Sequence, residues 1–103
     1  MPTTNHILNL FANKEDCLYL NIQMLHDVGI EETIVYSFLL KRKYDENIDG
    51  FFHVSLEEMQ KLLSLNEYHQ RKAINYLIHE GYIEVTYKGL PARRYFKILK
   101  GVE

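Results

Sequence analysis

The spacing of apolar residues changes period partway through residues 55–99, and that change limits what the chain can fold into. From Ser55 onward, Leu56, Met59, Leu62 and Leu63 recur on one helical face. Ser55 is a favourable N-cap, and Glu58 three residues on completes a capping-box pattern. Ser64-Leu65-Asn66 breaks the helix with two good capping residues. A second helix is expected over about 67–80, with Ile74, Leu77 and Ile78 as its buried stripe and Gly81 at the left-handed C-cap position. The period then becomes two. Tyr82-Ile83-Glu84-Val85-Thr86-Tyr87 is β-branched and aromatic, as a strand prefers. Lys88-Gly89-Leu90-Pro91-Ala92 holds the Gly and Pro of a turn, and Arg93 to Leu99 reads as the returning strand.

Upstream, Ile30 to Tyr44 reads as a helix with the apolar stripe Ile34, Val35, Phe38 and Leu39. Glu31 and Glu32 stand in its first turn and Lys41-Arg42-Lys43 in its last, an order that suits the helix dipole. Two readings of the basic run stand, a DNA contact and a solvated helix end. Asp45 to Gly50 is a polar loop, and Phe51-Phe52-His53-Val54 reads as a short strand ahead of the Ser55 cap. Residues 18–22 are either a strand or the lead-in to a helix that ends near Asp27-Val28-Gly29. Ile7, Leu8, Leu10 and Phe11 mark a short amphipathic helix over 5–13, interrupted by Lys14-Glu15-Asp16. The expected fold class is α+β: a winged helix-turn-helix, its helices joined to a small antiparallel β-sheet and a β-hairpin wing. One domain is expected over 1–103, with 1–24 as an N-terminal extension and 30–99 as the winged helix.

A chain of 103 residues has room for one core, and its 47% hydrophobic content fits a folded protein. No apolar run approaches a membrane span, and MPTTNHILNLF lacks the features of a signal peptide. Cys17 is the single cysteine, so no internal disulfide forms. A cytoplasmic protein with no membrane association is expected. Catalysis is not. There is no Gly-rich phosphate loop, no His-Glu-x-x-His run and no Gly-x-Ser-x-Gly elbow. The histidines at 6, 26, 53, 69 and 79 are scattered, and His69 and His79 lie too far apart on one helix to share a metal. No cofactor or metal is called for.

A net charge of −2 and a pI near 6.2 argue against strong nonspecific DNA binding. The distribution points the other way. Residues 1–50 carry four Lys or Arg against eight Asp or Glu, whereas residues 68–100 carry seven against two. Positive charge thus gathers in the second helix and the hairpin. In helix-turn-helix proteins that helix lies in the major groove with its first residues on the base edges. Tyr68, His69, Arg71, Lys72 and Asn75 are the candidates there, with Lys72 equally suited to a phosphate. For Tyr68 and Tyr76, partial burial at the helix flank competes evenly with DNA contact. Gln70 falls near the inner face, where it suits a backbone bond better than base reading. Lys88, Arg93 and Arg94 are the wing candidates, for the minor groove or the phosphates. Strand alternation sends Arg93 and Arg94 to opposite faces, so one faces DNA while the other lies along the hairpin. The competing reading is that these charges only keep an exposed hairpin from aggregating.

Four stretches carry a resemblance: Gly29-Ile30-Glu31-Glu32-Thr33-Ile34-Val35-Tyr36-Ser37-Phe38-Leu39-Leu40 before an acidic loop, Gly50-Phe51-Phe52-His53-Val54-Ser55 after it, Leu77-Ile78-His79-Glu80-Gly81-Tyr82-Ile83, and Lys88-Gly89-Leu90-Pro91-Ala92-Arg93-Arg94-Tyr95-Phe96. Together they resemble the N-terminal winged-helix domain of replication initiators and replisome organisers from phages and plasmids of Gram-positive bacteria, and DnaD-like primosomal proteins. The likeness spans about residues 18–99, and the Gly-Leu-Pro-Ala-Arg-Arg-Tyr-Phe wing is its most distinctive part. It implies double-stranded DNA binding in replication initiation, and either a domain of a longer protein or a small free-standing relative. A small winged-helix transcriptional repressor is the alternative within DNA binding. A module that docks to a replisome protein partner is the alternative outside it. Ile7, Leu8, Leu10, Phe11, Leu18 and Leu20 exceed what a minimal winged helix buries, so they are expected either to cover the core or to form a homodimer contact.

Overall fold

Four glycines with positive φ stand at joints between the elements of this computed structural model, which describes residues 17–99. The expected helix over 5–13, with Ile7, Leu8, Leu10 and Phe11, lies outside the described residues. Asn21 caps the first helix, α1 (Ile22–Val28), by accepting from the Met24 N–H at 2.9 Å, so residues 18–21 are a lead-in and not a strand. Gly29 (φ 102°) ends α1 and starts α2 (Ile30–Asp45) without an intervening loop. A side chain there would adopt a strained φ and bring Cβ within 2.8 Å of Glu32 Oε2.

After α2 come β1 (Phe52–His53), α3 (Leu56–Leu63), α4 (Glu67–His79), β2 (Ile83–Lys88) and β3 (Arg93–Ile98). The described residues therefore form an α+β fold with four helices and one small antiparallel sheet, strand order β1-β3-β2. Phe52 pairs with Phe96 and His53 with Tyr95, while β2 and β3 run in register from Ile83–Ile98 to Lys88–Arg93. The central strand is thus the last among the described residues, and the short strand before α3 joins the hairpin.

Local chemistry accounts for the ends of the helices. Ser55 Oγ accepts from the Glu58 N–H at 3.0 Å. The other half of the expected capping box is replaced, because the Glu58 carboxylate pairs with the Arg42 guanidinium on α2. Lys41 pairs with Asp45 at 2.7 Å, and Lys43 donates to the Ile48 carbonyl at 3.3 Å, so all three cations of this run have partners at the helix end. Ser64 ends α3 in the left-handed region, and Asn66 caps α4 by accepting from the His69 N–H. At the far end of α4, Gly81 N–H donates to Ile78 O and Tyr82 N–H to Leu77 O. That double bond pattern is a Schellman motif, which Gly81 (φ 79°) permits.

The core gathers Val35, Tyr36, Phe38 and Leu39 of α2, Met59 of α3, Ala73, Ile74 and Leu77 of α4, and Phe52, Val54, Ile83 and Phe96 of the sheet region, with Met24 of α1. Helix α2 is buried almost all round from Thr33 to Leu39 because α1 and α4 both pack on it. Two expected core positions lie outside. Ile78 is 41% exposed and Leu62 55%. Each sits at the edge of its helix's apolar arc.

Candidate nucleic-acid interface

Helix α4 divides cleanly into two faces. Gln70, Ala73, Ile74 and Leu77 are buried, whereas Tyr68, Arg71, Lys72, Asn75, Tyr76 and His79 are exposed. Tyr68 stands out at the start of the helix with its ring edge-on to His69. Arg71 reaches back one turn to Glu67 at 2.6 Å, a surface pair whose energy is small. Lys72 and Asn75, three residues apart, share open surface on the same side. His69 differs from the rest. Its Nδ1 lies 3.0 Å from Glu31 Oε2, which ties the start of α4 to the first turn of α2.

The hairpin places the other candidates. Lys88 and Arg93 form its closing pair, both exposed, and Gly89–Ala92 make the tip with Leu90 fully exposed. Arg93 is at the tip on the sheet's outer face. Arg94, one residue on, turns to the inner face. Its Nε donates to Val54 O at 3.3 Å, its Nη2 donates to Gln70 Oε1 at 3.2 Å, and its guanidinium stacks 4.9 Å from the Phe96 ring centre. Burial holds the Arg94 guanidinium below its ordinary pKa, and Arg71 pushes the same way against Tyr87 and Glu57. Gln70 completes the cluster, donating through Nε2 to Leu56 O at 3.0 Å and Leu65 O at 2.8 Å. One buried amide therefore joins the start of α3, the α3–α4 turn, α4 and the hairpin one residue from its tip.

Six of the eight sequence candidates, Tyr68, Arg71, Lys72, Asn75, Lys88 and Arg93, thus stand on exposed surface of α4 or the hairpin. His69 is engaged with Glu31, and Arg94 links the hairpin to α4 through Gln70. On the outer face of the sheet the sequence reading singled out Lys88 and Arg93 but passed over Phe51, Tyr95 and Lys97 beside them. Lys88 Nζ lies 5.5 Å from the ring centres of both Phe51 and Tyr95, and Lys97 Nζ lies 5.7 Å from that of Phe51. The alternation Arg93, Tyr95, Lys97 along β3 was the available signal.

Comparison with protein-family models, curated proteins and solved structures gave no match. Among the described residues no helix is long and apolar enough to cross a membrane. No three or more His, Cys, Asp or Glu side chains among them are grouped to hold a metal ion.

Proposed function

We propose that this chain is a winged helix that binds double-stranded DNA, with α4 in the major groove and the β2–β3 hairpin as the wing. The observation that carries this reading is the shared exposure of Lys72 and Asn75 on α4 and of Lys88 and Arg93 at the hairpin tip. These groups are cationic or able to hydrogen-bond base edges, and Gln70 and Arg94 hold their two elements together. Lys72, Lys88 and Arg93 contact phosphates, and the first half of α4 reads bases. The role we assign is placing a phage or plasmid replication complex on its DNA, which rests on the resemblance of the Gly89–Phe96 wing and neighbouring stretches to replication initiators.

Fluorescence anisotropy with a labelled duplex at low and moderate salt tests the reading, run beside the Lys72→Ala/Arg93→Ala double variant. Wild-type affinity is expected to fall with salt. The variant is expected to bind more weakly, with a salt slope shallower by about one unit for each phosphate no longer neutralised. Absence of duplex binding at low salt, or equal slopes for the two proteins, removes this surface as a DNA site and turns the search to protein partners.

A further inference from the structure

We infer that the outer face of the three-stranded sheet binds single-stranded nucleic acid, at a site separate from the base-reading face of α4. The inner face of the sheet is filled by Phe52, Ile83 and Phe96 against the helices. Register places the next side chains of each strand on the opposite face. There β1 presents His53 beside Tyr95, and β2 and β3 present Lys88, Arg93 and Lys97 around them, with Thr86 opposite Tyr95 and the Glu84 carboxylate opposite Lys97 at the end away from the hairpin tip. Phe51, just before β1, completes a platform of two aromatic rings with an ammonium group over each.

The geometry is specific on two counts. Lys88 Nζ stands 5.5 Å from both ring centres, and Lys97 Nζ covers Phe51 from 5.7 Å, so flexible cations screen the ring faces. His53 packs 5.4 Å from the Tyr95 ring, and its Nδ1 lies 2.8 Å from Arg94 O, which fixes the ring that backs Tyr95. A ligand suited to this face has planar π-surfaces at intervals along a polyanion. A base displaces an ammonium group from a ring face, and the freed ammonium meets the adjoining phosphate. A duplex lacks the first element, since its base faces are stacked on one another. An acidic peptide uses the cations and leaves the rings idle. Single-stranded nucleic acid uses both.

The test is anisotropy with a fluorescent 15-nucleotide oligothymidylate, in parallel with a labelled duplex. Phe51→Leu and Tyr95→Leu keep apolar bulk while removing the aromatic face, and Lys97→Gln keeps the stem while removing the charge. Circular dichroism melts verify that each variant folds. Wild type is expected to bind oligothymidylate, each leucine variant to lose about tenfold or more in affinity, and Lys97→Gln to flatten the salt slope by about 0.7. Duplex affinity is expected to stay within about twofold in the leucine variants. Failure to bind oligothymidylate at low salt overturns the inference and leaves duplex binding standing. So does retention of full affinity by both folded leucine variants, because charge alone then explains the attraction. Oligothymidylate binding without duplex binding supports the sheet site and removes the α4 site.

Discussion

Burying an amide away from water is costly unless each of its polar atoms finds a partner. Gln70, with no exposed surface, meets that condition through two carbonyls and one guanidinium. Replacing it with Leu removes the donors to Leu56 O and Leu65 O and the acceptor for Arg94 together. At about 1–3 kcal/mol for a buried group left unpaired, Gln70→Leu is expected to destabilise the fold by about 2–4 kcal/mol. Arg94→Ala and the double variant complete a cycle, and urea unfolding of all four proteins is expected to give a coupling of about 1 kcal/mol. Additive effects within about 0.3 kcal/mol sink the idea of a joint latch. The inward lean of Gln70 and its turn to the backbone were legible in the sequence, but its particular partners were not. They are backbone carbonyls that converge only after the α3–α4 turn has formed, and an arginine 24 residues away on the hairpin. For the same reason the alternation of β3 showed that Arg93 and Arg94 part company without showing which one turns inward.

Elements whose limits come from neighbouring residues were the legible ones. Ser55, Asn66 and Gly81 act within one turn of their own positions, so their chemistry can be read directly from the chain. Width of burial is another matter. Taking 3.6 residues per turn, Gln70, Ala73, Ile74 and Leu77 fill one arc, and Ile78 falls about 40° outside it. Hydropathy placed Ile78 inside, yet the packing of α4 on α2 and β2 decides where the arc ends. Tyr36 errs the opposite way: absent from the expected stripe, it is buried because α2 has neighbours on both sides. The cap of α4 also bears on the proposed interface, since Asn66 orders the turn from which Tyr68, Arg71 and Lys72 project. Asn66→Ala is expected to cost about 1 kcal/mol, whereas Asn66→Asp retains the cap and adds a favourable charge at the helix start. Equal thermal unfolding midpoints for wild type and Asn66→Ala would show that the cap is dispensable.

At the scale of the molecule, the acidic first half supplies the central helix and the basic second half supplies the proposed nucleic-acid surfaces, so the core joins two segments of opposite charge. Tyr36 lies at that junction, 1% exposed, with its ring edge-on to Tyr82 at 5.5 Å. Burial, followed by the neighbouring Tyr44 and Tyr82, pushes its hydroxyl up to about 12. An unfolded tyrosine ionises near pH 10. Between the two values the unfolded chain has released this proton while the folded chain still holds it, so stability falls as pH rises. The contribution is fully present below about pH 10 and is lost as pH climbs through about 12. Two pH units of separation correspond to about 2–3 kcal/mol. Tyr36→Phe keeps the ring and removes the ionisation. The stability advantage of wild type over this variant, whatever its size at neutral pH, is therefore expected to shrink by about 2–3 kcal/mol between pH 9 and 12. Urea unfolding followed by far-ultraviolet circular dichroism across that range measures it. A difference that stays constant with pH would mean that Tyr36 ionises alike in both states and that the core does not exclude water from its hydroxyl.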